Sequence, residues 1–535
     1  MANNDYETEW DGTRFPREKN TGVVMGLDLV QVIFLVAVLA IAVGMIFTLG
    51  FPLGLFLGVF FALAGGAVGF IRFWGRSLIG WLWESVMFVF RGAAGQLRYE
   101  RELPVVATFN ERDEWDTDPE ARPGRDKHGR INPGKGHRLA LPGEHAEMKV
   151  YDLPGGAGFI FDPKRKEGMI VARLETRRAF SLESDEAMED RTRGFRDSIT
   201  ALAGIQGVSR VQLSDQTTMI SGSRVKSWYE EKSAEAPRVP SPAGTGTVPL
   251  SGANVNPWLH NSYLDLIEDA QDQPIHEMWI TIVLDATTLE RRALAAGGGL
   301  RGFMEVSQKT MANIEEIVKI SGVQVAGWHT ARSVAALARS AFDPDATLEI
   351  SDREGDWAGA HPESAGPAGA EVSPRHLWSD GWYHRTYMIS EWPQAQAHLG
   401  FLEELVFCGE FRHTVTVVFR SKDLRGAMRK TQNRKSDWQT AEKIRRKVGR
   451  PPSLEHEQEQ HDIEQEEREL MAGNAAVDII ALITVSGADE EQLESHSADL
   501  KSKAAQANCE VRPANLQQDS AFVAAALPFG RAILT

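Results

Sequence analysis

The chain divides sharply by hydropathy. Residues 29–49, LVQVIFLVAVLAIAVGMIFTL, carry no charge and a single amide, Gln31. At about 1.5 Å of rise per residue, a helix of this length spans a hydrocarbon core of about 30 Å. A second apolar run, 51–71, follows at once, with Gly50 and Pro52 breaking the chain between the two. Spans joined so closely predict an antiparallel transmembrane hairpin over 29–72. Residues 73–90, FWGRSLIGWLWESVMFVF, are apolar but interrupted by Arg76 and Glu84. Trp74, Trp81 and Trp83 are the interfacial anchors of a predicted amphipathic helix on the inner leaflet, within 73–100. A third span is the alternative reading, and it buries charge.

Further along, strand and helix periodicities alternate. Strands are predicted at 158–162 and 168–174, then a helix at 184–204 with Met188, Phe195, Ile199 and Leu202 at helical spacing. A strand at 208–213 follows. After an insertion come a strand at 278–284, a helix at 303–320 with Met304, Met311, Ile314 and Val318 on one face, and a short strand at 323–327. The order then recurs. A strand at 383–391, a short helix at 394–405 and an alternating strand at 413–420 precede a second insertion. Strand 477–485, helix 490–507 and strand 509–512 close the unit. The predicted fold class is therefore α+β: two ferredoxin-like (βαββαβ) halves with insertions, at 141–345 and 383–535, preceded by a transmembrane α-hairpin. Residues 1–28 read as a cytosolic N-terminal tail and 101–140 as a linker. Residues 346–382, and a stretch near 235–256, read as flexible excursions rich in Gly, Pro, Ser and Ala.

Charge sharpens this picture in two places. Arg14, Arg17 and Lys19 precede the first span, Arg72 and Arg76 follow the second, and no charge lies between them. The positive-inside bias places both termini in the cytosol of an inner membrane. Gly54, Gly58, Gly65, Gly66 and Gly69 give the second span a small-residue face. Packing against a partner helix is one reading of it, and ordinary glycine tolerance in membrane helices the other.

The second place is the insertion at 421–474. Residues 420–450 hold twelve basic residues against three acidic ones, whereas 455–469 hold eight acidic residues and one basic. Pro451-Pro452 separates the arms, which predicts an antiparallel helical hairpin whose arms attract along their length. The alternative is that Arg429, Lys430, Arg434, Lys435, Arg445, Arg446 and Lys447 contact an anionic partner: lipid headgroups, nucleic acid or an acidic protein surface.

The whole-chain charge of −16 argues against broad phosphate binding by the body. The two cysteines, Cys408 and Cys509, build neither a disulfide framework nor a zinc cluster. No G-x-x-x-x-G-K-[ST] sequence occurs, and the nearest glycine run, Gly297 to Gly302, lacks the lysine and hydroxyl that cradle phosphates. His456 and His461 are five residues apart, about 140° around a helix, and so cannot share a metal. No cofactor and no enzymatic activity are predicted.

Ser390-Glu391-Trp392-Pro393 follows a strand and precedes a helix. Phe419-Arg420, the charged insertion, strand 476–485 and Cys509-Glu510-Val511-Arg512-Pro513 follow, and Phe522 to Gly530 reads FVAAALPFG. This pattern resembles the N-terminal domain of the conjugation ATPases of type IV secretion systems. In those proteins an aLPlG stretch stands just ahead of the motor domain. The hairpin is similar to their small membrane partner. The whole chain resembles a family of integral membrane proteins from actinobacterial conjugative elements, with a hairpin anchor and a motor-less version of that domain. The resemblance implies a membrane scaffold that positions a separate cytosolic ATPase, packs with other membrane subunits, and forms a homo-oligomer or part of a hetero-complex. Its rivals are a membrane subunit of another export system, such as type VII secretion, and a membrane-tethered DNA-binding protein using Arg445, Arg446 and Lys447.

Overall fold

The computed structural model describes residues 29–70, 72–73, 76–101, 124–125, 129, 131–176, 184–219, 229, 238–240, 247–249, 257–269, 274–393, 400, 402–422, 424–447, 454–471 and 477–533. At the N-terminus, α1 (Leu29–Leu49) and α2 (Leu53–Phe70) are apolar throughout and pack side by side. Both are long and apolar enough to cross a membrane. A third helix, α3 (Leu78–Ala93), has no fully buried residue. The chain then turns into β1 (Arg98–Glu100), which opens the body.

The body's first half contains β2 (His137–Arg138), β3 (Lys149–Asp152), β4 (Gly158–Asp162), β5 (Glu167–Thr176), α4 (Asp185–Gly204), β6 (Val208–Met219), α5 (Pro257–Asp269) and β7 (Pro274–Asp285). It ends with α6 (Glu290–Ala295), α7 (Gly299–Lys319), β8 (Val323–Trp328) and α8 (Ala331–Phe342). Side-chain caps fix several helix starts. Ser184 accepts from the Ala187 amide at 3.4 Å, and Thr330 from the Ser333 amide at 3.1 Å. The second half contains α9 (Ala346–Ser351), β9 (Gly369–Val372), β10 (Leu377–Ser379), β11 (Trp382–Glu391), α10 (Glu403–Val406) and β12 (His413–Ser421). There follow α11 (Leu424–Lys447), α12 (Leu454–Met471), β13 (Val477–Gly487), α13 (Glu490–Gln506), β14 (Glu510–Pro513) and α14 (Gln518–Ala526).

All fourteen labelled strands join one antiparallel sheet, ordered β1-β9-β10-β11-β13-β12-β6-β7-β5-β4-β3-β2, with β8 beside β5 and β14 beside β11. The same local arrangement occurs twice. In the first half β8, β5, β7 and β6 are neighbours in that order; in the second, β14, β11, β13 and β12. The two arrangements meet at β6 and β12, paired from Arg210↔Arg420 to Gln216↔Thr414. Alternation along the strands feeds a separate core on each face. On β5 and β7, Ile170, Ala172, Ile280 and Ile282 pack against α4 and α7, while Met169, Val171, Trp279 and Val283 pack against α8. On β11 and β13, Tyr387 and Ile483 face α13, while Met388 and Leu482 face α14. The result is a sheet sandwiched between helices, with α8 and α14 on the same side.

Two expectations need revision. Residues 346–382 are not a loose excursion: Ala360, Ala365, Ala370 and Leu377 are buried in the α8-side core, and β9 pairs with β1. The segment reads as loop because alanine and glycine carry its packing. Gly366 shows why: a Cβ there would sit 1.9 Å from the Ala140 carbonyl oxygen. The end of the supposed 101–140 linker also belongs to the body, since Ile131 and Leu139 are fully buried. The helix expected at 394–405 is described only as α10; residues 394–399 lie outside the described residues, as do 1–28, 102–123 and most of the 235–256 stretch.

Candidate functional site

Three features stand out by construction: the apolar hairpin, the charged arm and the seam between the halves. Four glycines of α2 face α1. A Cβ on Gly54 would lie 2.7 Å from the Met45 carbonyl, and one on Gly58 2.7 Å from the Ala42 carbonyl. Cβ atoms on Gly65 and Gly69 would run into Val38 and Leu35. The small-residue face is therefore occupied by α1 of the same chain rather than offered to another subunit. Gln31, the one amide in the span, is buried and donates to the Gly69 carbonyl at 3.0 Å. This settles a polar group that lipid cannot satisfy. Replacing Gly58 with leucine is expected to force the two backbones apart, at about 1–3 kcal/mol. Gly66→Leu, where a Cβ meets nothing within 4 Å, is the control. Titration of the reconstituted chain with SDS reads both, and equal stabilities for the two variants would refute the packing.

Among the expected interfacial anchors, Trp83 is exposed and Trp81 half-buried on α3, while Trp74 lies outside the described residues. From α3 the polypeptide passes into β1, where the Val372 amide donates to the Leu97 carbonyl at 2.8 Å. An ion pair joins Arg91 of α3 to Asp519 of α14. The segment that follows the apolar hairpin is thus tied both to the sheet edge and to the helix that covers the seam.

In the arm, α11 and α12 pack antiparallel, with Ala427, Thr431, Ile463 and Leu470 buried between or beneath them. Arg434 bonds Glu466 at 2.9 Å and Lys435 bonds Glu467 at 2.5 Å. These two cations, expected as partner contacts, are spent within the arm. Arg429, Lys430 and Lys447 are exposed, and Arg445 is half-buried. The Arg446 side chain is outside the described ones.

The seam is the part that pattern reading missed. Gln212, Ser214 and Gln216 alternate on β6, facing the side covered by α14, and all three are buried. Gln212 bonds Ser214 at 2.9 Å, Ser214 bonds Thr416 of β12 at 2.8 Å, and Gln216 bonds Thr414 at 3.2 Å. The C-terminal segment 518–531 completes the network. Gln212 donates to the Leu527 carbonyl at 3.0 Å, Thr416 donates to the Ala525 carbonyl at 2.5 Å, and the Gly530 amide donates to Gln212 at 2.5 Å. Gln518 brackets Thr386 of β11 from both backbone sides, at 2.8 and 3.3 Å. Beyond it, Arg531 is buried and ion-paired to Asp162 and to Glu167. Glu167 is also held by Arg210 at 2.6 Å. The LPFG stretch therefore stitches the second half onto the first.

Buried imidazoles and thiols here are structural in character. Burial drives the His384 ring down to about 3, and it sits between Ser379 at 3.0 Å and Ser486 at 2.8 Å. Burial pushes the Cys408 thiol up to about 12 and Cys509 up to about 11, which removes thiolate reactivity at neutral pH. Asp215 bonds the His276 ring at 2.7 Å, and the far side of that ring packs on Phe407. Among the described residues no group of three or more His, Cys, Asp or Glu is arranged to hold a metal.

No family profile and no curated protein matches this chain. The chemistry of the site therefore rests on the residues themselves. His384 gives one direct check. A histidine that is neutral when folded and ordinary when unfolded stabilises the fold fully above about pH 6.5. That contribution falls by about 1.4 kcal/mol per unit as pH drops toward 3. His384→Asn is expected to flatten the dependence of the urea midpoint on pH between about 6 and 4 by one proton. A wild-type slope in the variant would contradict the assignment.

Proposed function

We propose that this chain is a non-catalytic inner-membrane scaffold of a type IV secretion or conjugation machine, which anchors and positions a separate P-loop ATPase. The observation that supports it most is continuity between membrane segment and platform. The apolar hairpin leads through α3 into β1, an edge strand of the sheet, and Arg91 fastens α3 to α14 over the seam. A load applied to the body is thereby passed to the bilayer through bonded elements rather than through a slack tether.

The strand order of each half, fourth-first-third-second around helices on one face, favours two ferredoxin-like units. With the LPFG stretch at the seam, it also favours the likeness to the N-terminal domain of the conjugation ATPases. The sequence lacks the lysine and glycines of a phosphate-binding loop, so nucleotide hydrolysis is not carried over to it from the ATPases it resembles. The motor belongs to another polypeptide, docked on the cytosolic body. Both termini lie on the cytosolic side in this reading.

The test is purification of the full chain from native membranes in mild detergent after brief crosslinking. Recovery of a P-loop ATPase encoded beside it is expected. Recovery of other membrane proteins but no ATPase would overturn the proposal and favour a different export system.

A further inference from the structure

The arm's charges are sorted by exposure. On α12 the described acidic residues Asp462, Glu464, Glu466 and Glu467 are all partly buried, and two of them are held by α11. Among the described side chains of the arm, every charged residue in the exposed class is a cation, apart from the histidine His461. Glu466 and Glu467 of the acidic arm neutralise Arg434 and Lys435 on the inner side of the basic one, while Arg425, Arg429, Lys443 and Lys447 are exposed on the outer side.

Those outer cations are also in register. Arg425 and Arg429 are one turn apart, as are Lys443 and Lys447. The two pairs are separated by eighteen residues, 425 to 443, which is five full turns of α-helix. All four therefore lie on one face, in two clusters about 27 Å apart along the axis. Such spacing suits an extended anionic surface better than a single compact anion.

Strand register says where the arm is rooted. Leu97, just before β1, is level with Val372, hence with Leu377 and with His384 of β11. The chain runs back from there toward α3, on the Met388 side. Across β11, β13 and β12, the same side leads to Ser421 and Val477, the two roots of the arm. The arm thus leaves the sheet at the strand ends from which the membrane anchor enters. Twist of about 20–25° per strand, accumulated over the five steps from β1 to β12, turns β12, the strand that leads into the arm, crosswise to the entering strand.

We infer that the outer face of α11 docks on anionic lipid headgroups of the membrane that holds the chain. Charge complementarity supplies the attraction and the anchor supplies the proximity. The inference rests on the membrane placement proposed above but not on the identity of the ATPase. Two attachment points, hairpin and arm, would then fix the tilt of the body as well as its height.

The experiment uses the full chain in nanodiscs of phosphatidylcholine alone, or of phosphatidylcholine with phosphatidylglycerol. A fluorophore is placed at Gln439→Cys, an exposed position on α11; the native cysteines are buried and remain in place. Headgroup-labelled quencher lipid reports contact. Several-fold stronger quenching in the anionic discs is expected, weakening as salt shortens the Debye length. It should be lost when Arg425, Arg429, Lys443 and Lys447 are all replaced by glutamine. Equal quenching in both lipids, or quenching indifferent to the four substitutions, overturns the inference. So does a DNA duplex that binds the chain through the same four residues while the arm gives no more quenching in anionic discs than in neutral ones. Failure to capture an ATPase leaves this readout unchanged, so the two proposals fail separately.

Discussion

Replacing Arg531 with alanine is expected to destabilise the body by about 3–5 kcal/mol, because it strands two buried carboxylates. Arg531 is 4% exposed and pairs with both Asp162 and Glu167. Glu167 keeps Arg210 at 2.6 Å after the change, and Asp162 keeps the amides of Lys164 at 2.9 Å and Arg165 at 3.2 Å. These residual partners favour the lower end of the range. A compensated variant, Arg531→Met with Asp162→Asn, is expected to recover part of the loss, since burial of an uncharged pair carries a smaller desolvation cost. Chemical denaturation of the detergent-solubilised chain measures all three proteins.

The pH dependence of that loss has a definite sign. Burial works against ionisation of Asp162, but the Arg531 guanidinium, joined by the two backbone amides, outweighs it and holds the carboxyl below the usual carboxylate range. A depressed carboxylate stabilises the fold above its unfolded pKa, about 3.9, and that contribution disappears as pH falls through the folded value. The deficit of Arg531→Ala is therefore widest at neutral pH and narrows below about pH 4. A deficit under about 1 kcal/mol at pH 7 would mean that the pair is replaced by solvent and that the C-terminal segment is not locked.

Sequence patterns reveal this fold unevenly, and the reasons are physical. The hairpin is plain because lipid demands an uninterrupted apolar run. Strands such as 413–420 are plain because one sheet face is apolar. The arm is plain because its charge changes sign across Pro451-Pro452. The seam is hidden for the opposite reason. Gln212, Ser214 and Gln216 look solvent-facing, yet they are buried against a segment more than 300 positions away, as the bond between Gln212 and the Leu527 carbonyl shows. No local window contains that partner. Residues 346–382 are hidden because close packing there uses alanine and glycine, whose periodicity is weak. Composition alone overstated the arm's contact set as well, since Arg434 and Lys435 turn toward Glu466 and Glu467. Among the described cations the fold separates Arg434 and Lys435, paired within the arm, from Arg429, Lys430 and Lys447, which are exposed.

The second large effect concerns the place where the two halves meet through their trailing helices. Phe522 of α14 is fully buried, with its ring 5.1 Å from that of Phe342 at the end of α8 and 4.8 Å from that of His384 on β11. Through this side chain α14 touches both the first half and the second. Phe522→Ala removes the ring and leaves a cavity in a core whose neighbours are pinned: Ser379 bonds the Phe342 carbonyl at 2.7 Å, and His384 is bonded on both ring nitrogens. Collapse around the void is therefore restricted, and the expected cost is about 3–5 kcal/mol. Phe522→Leu, which keeps most of the volume, should cost far less. Hydrogen exchange separates a local from a shared effect. If α14 clamps the halves together, the alanine variant will speed exchange in β6 and β12 at the seam and in α8, not in α14 alone. Acceleration confined to α14 would show that the halves hold each other through β6–β12 pairing without the helix. The bond between Gln212 and the Leu527 carbonyl would then be a consequence of sheet closure and not a cause of it.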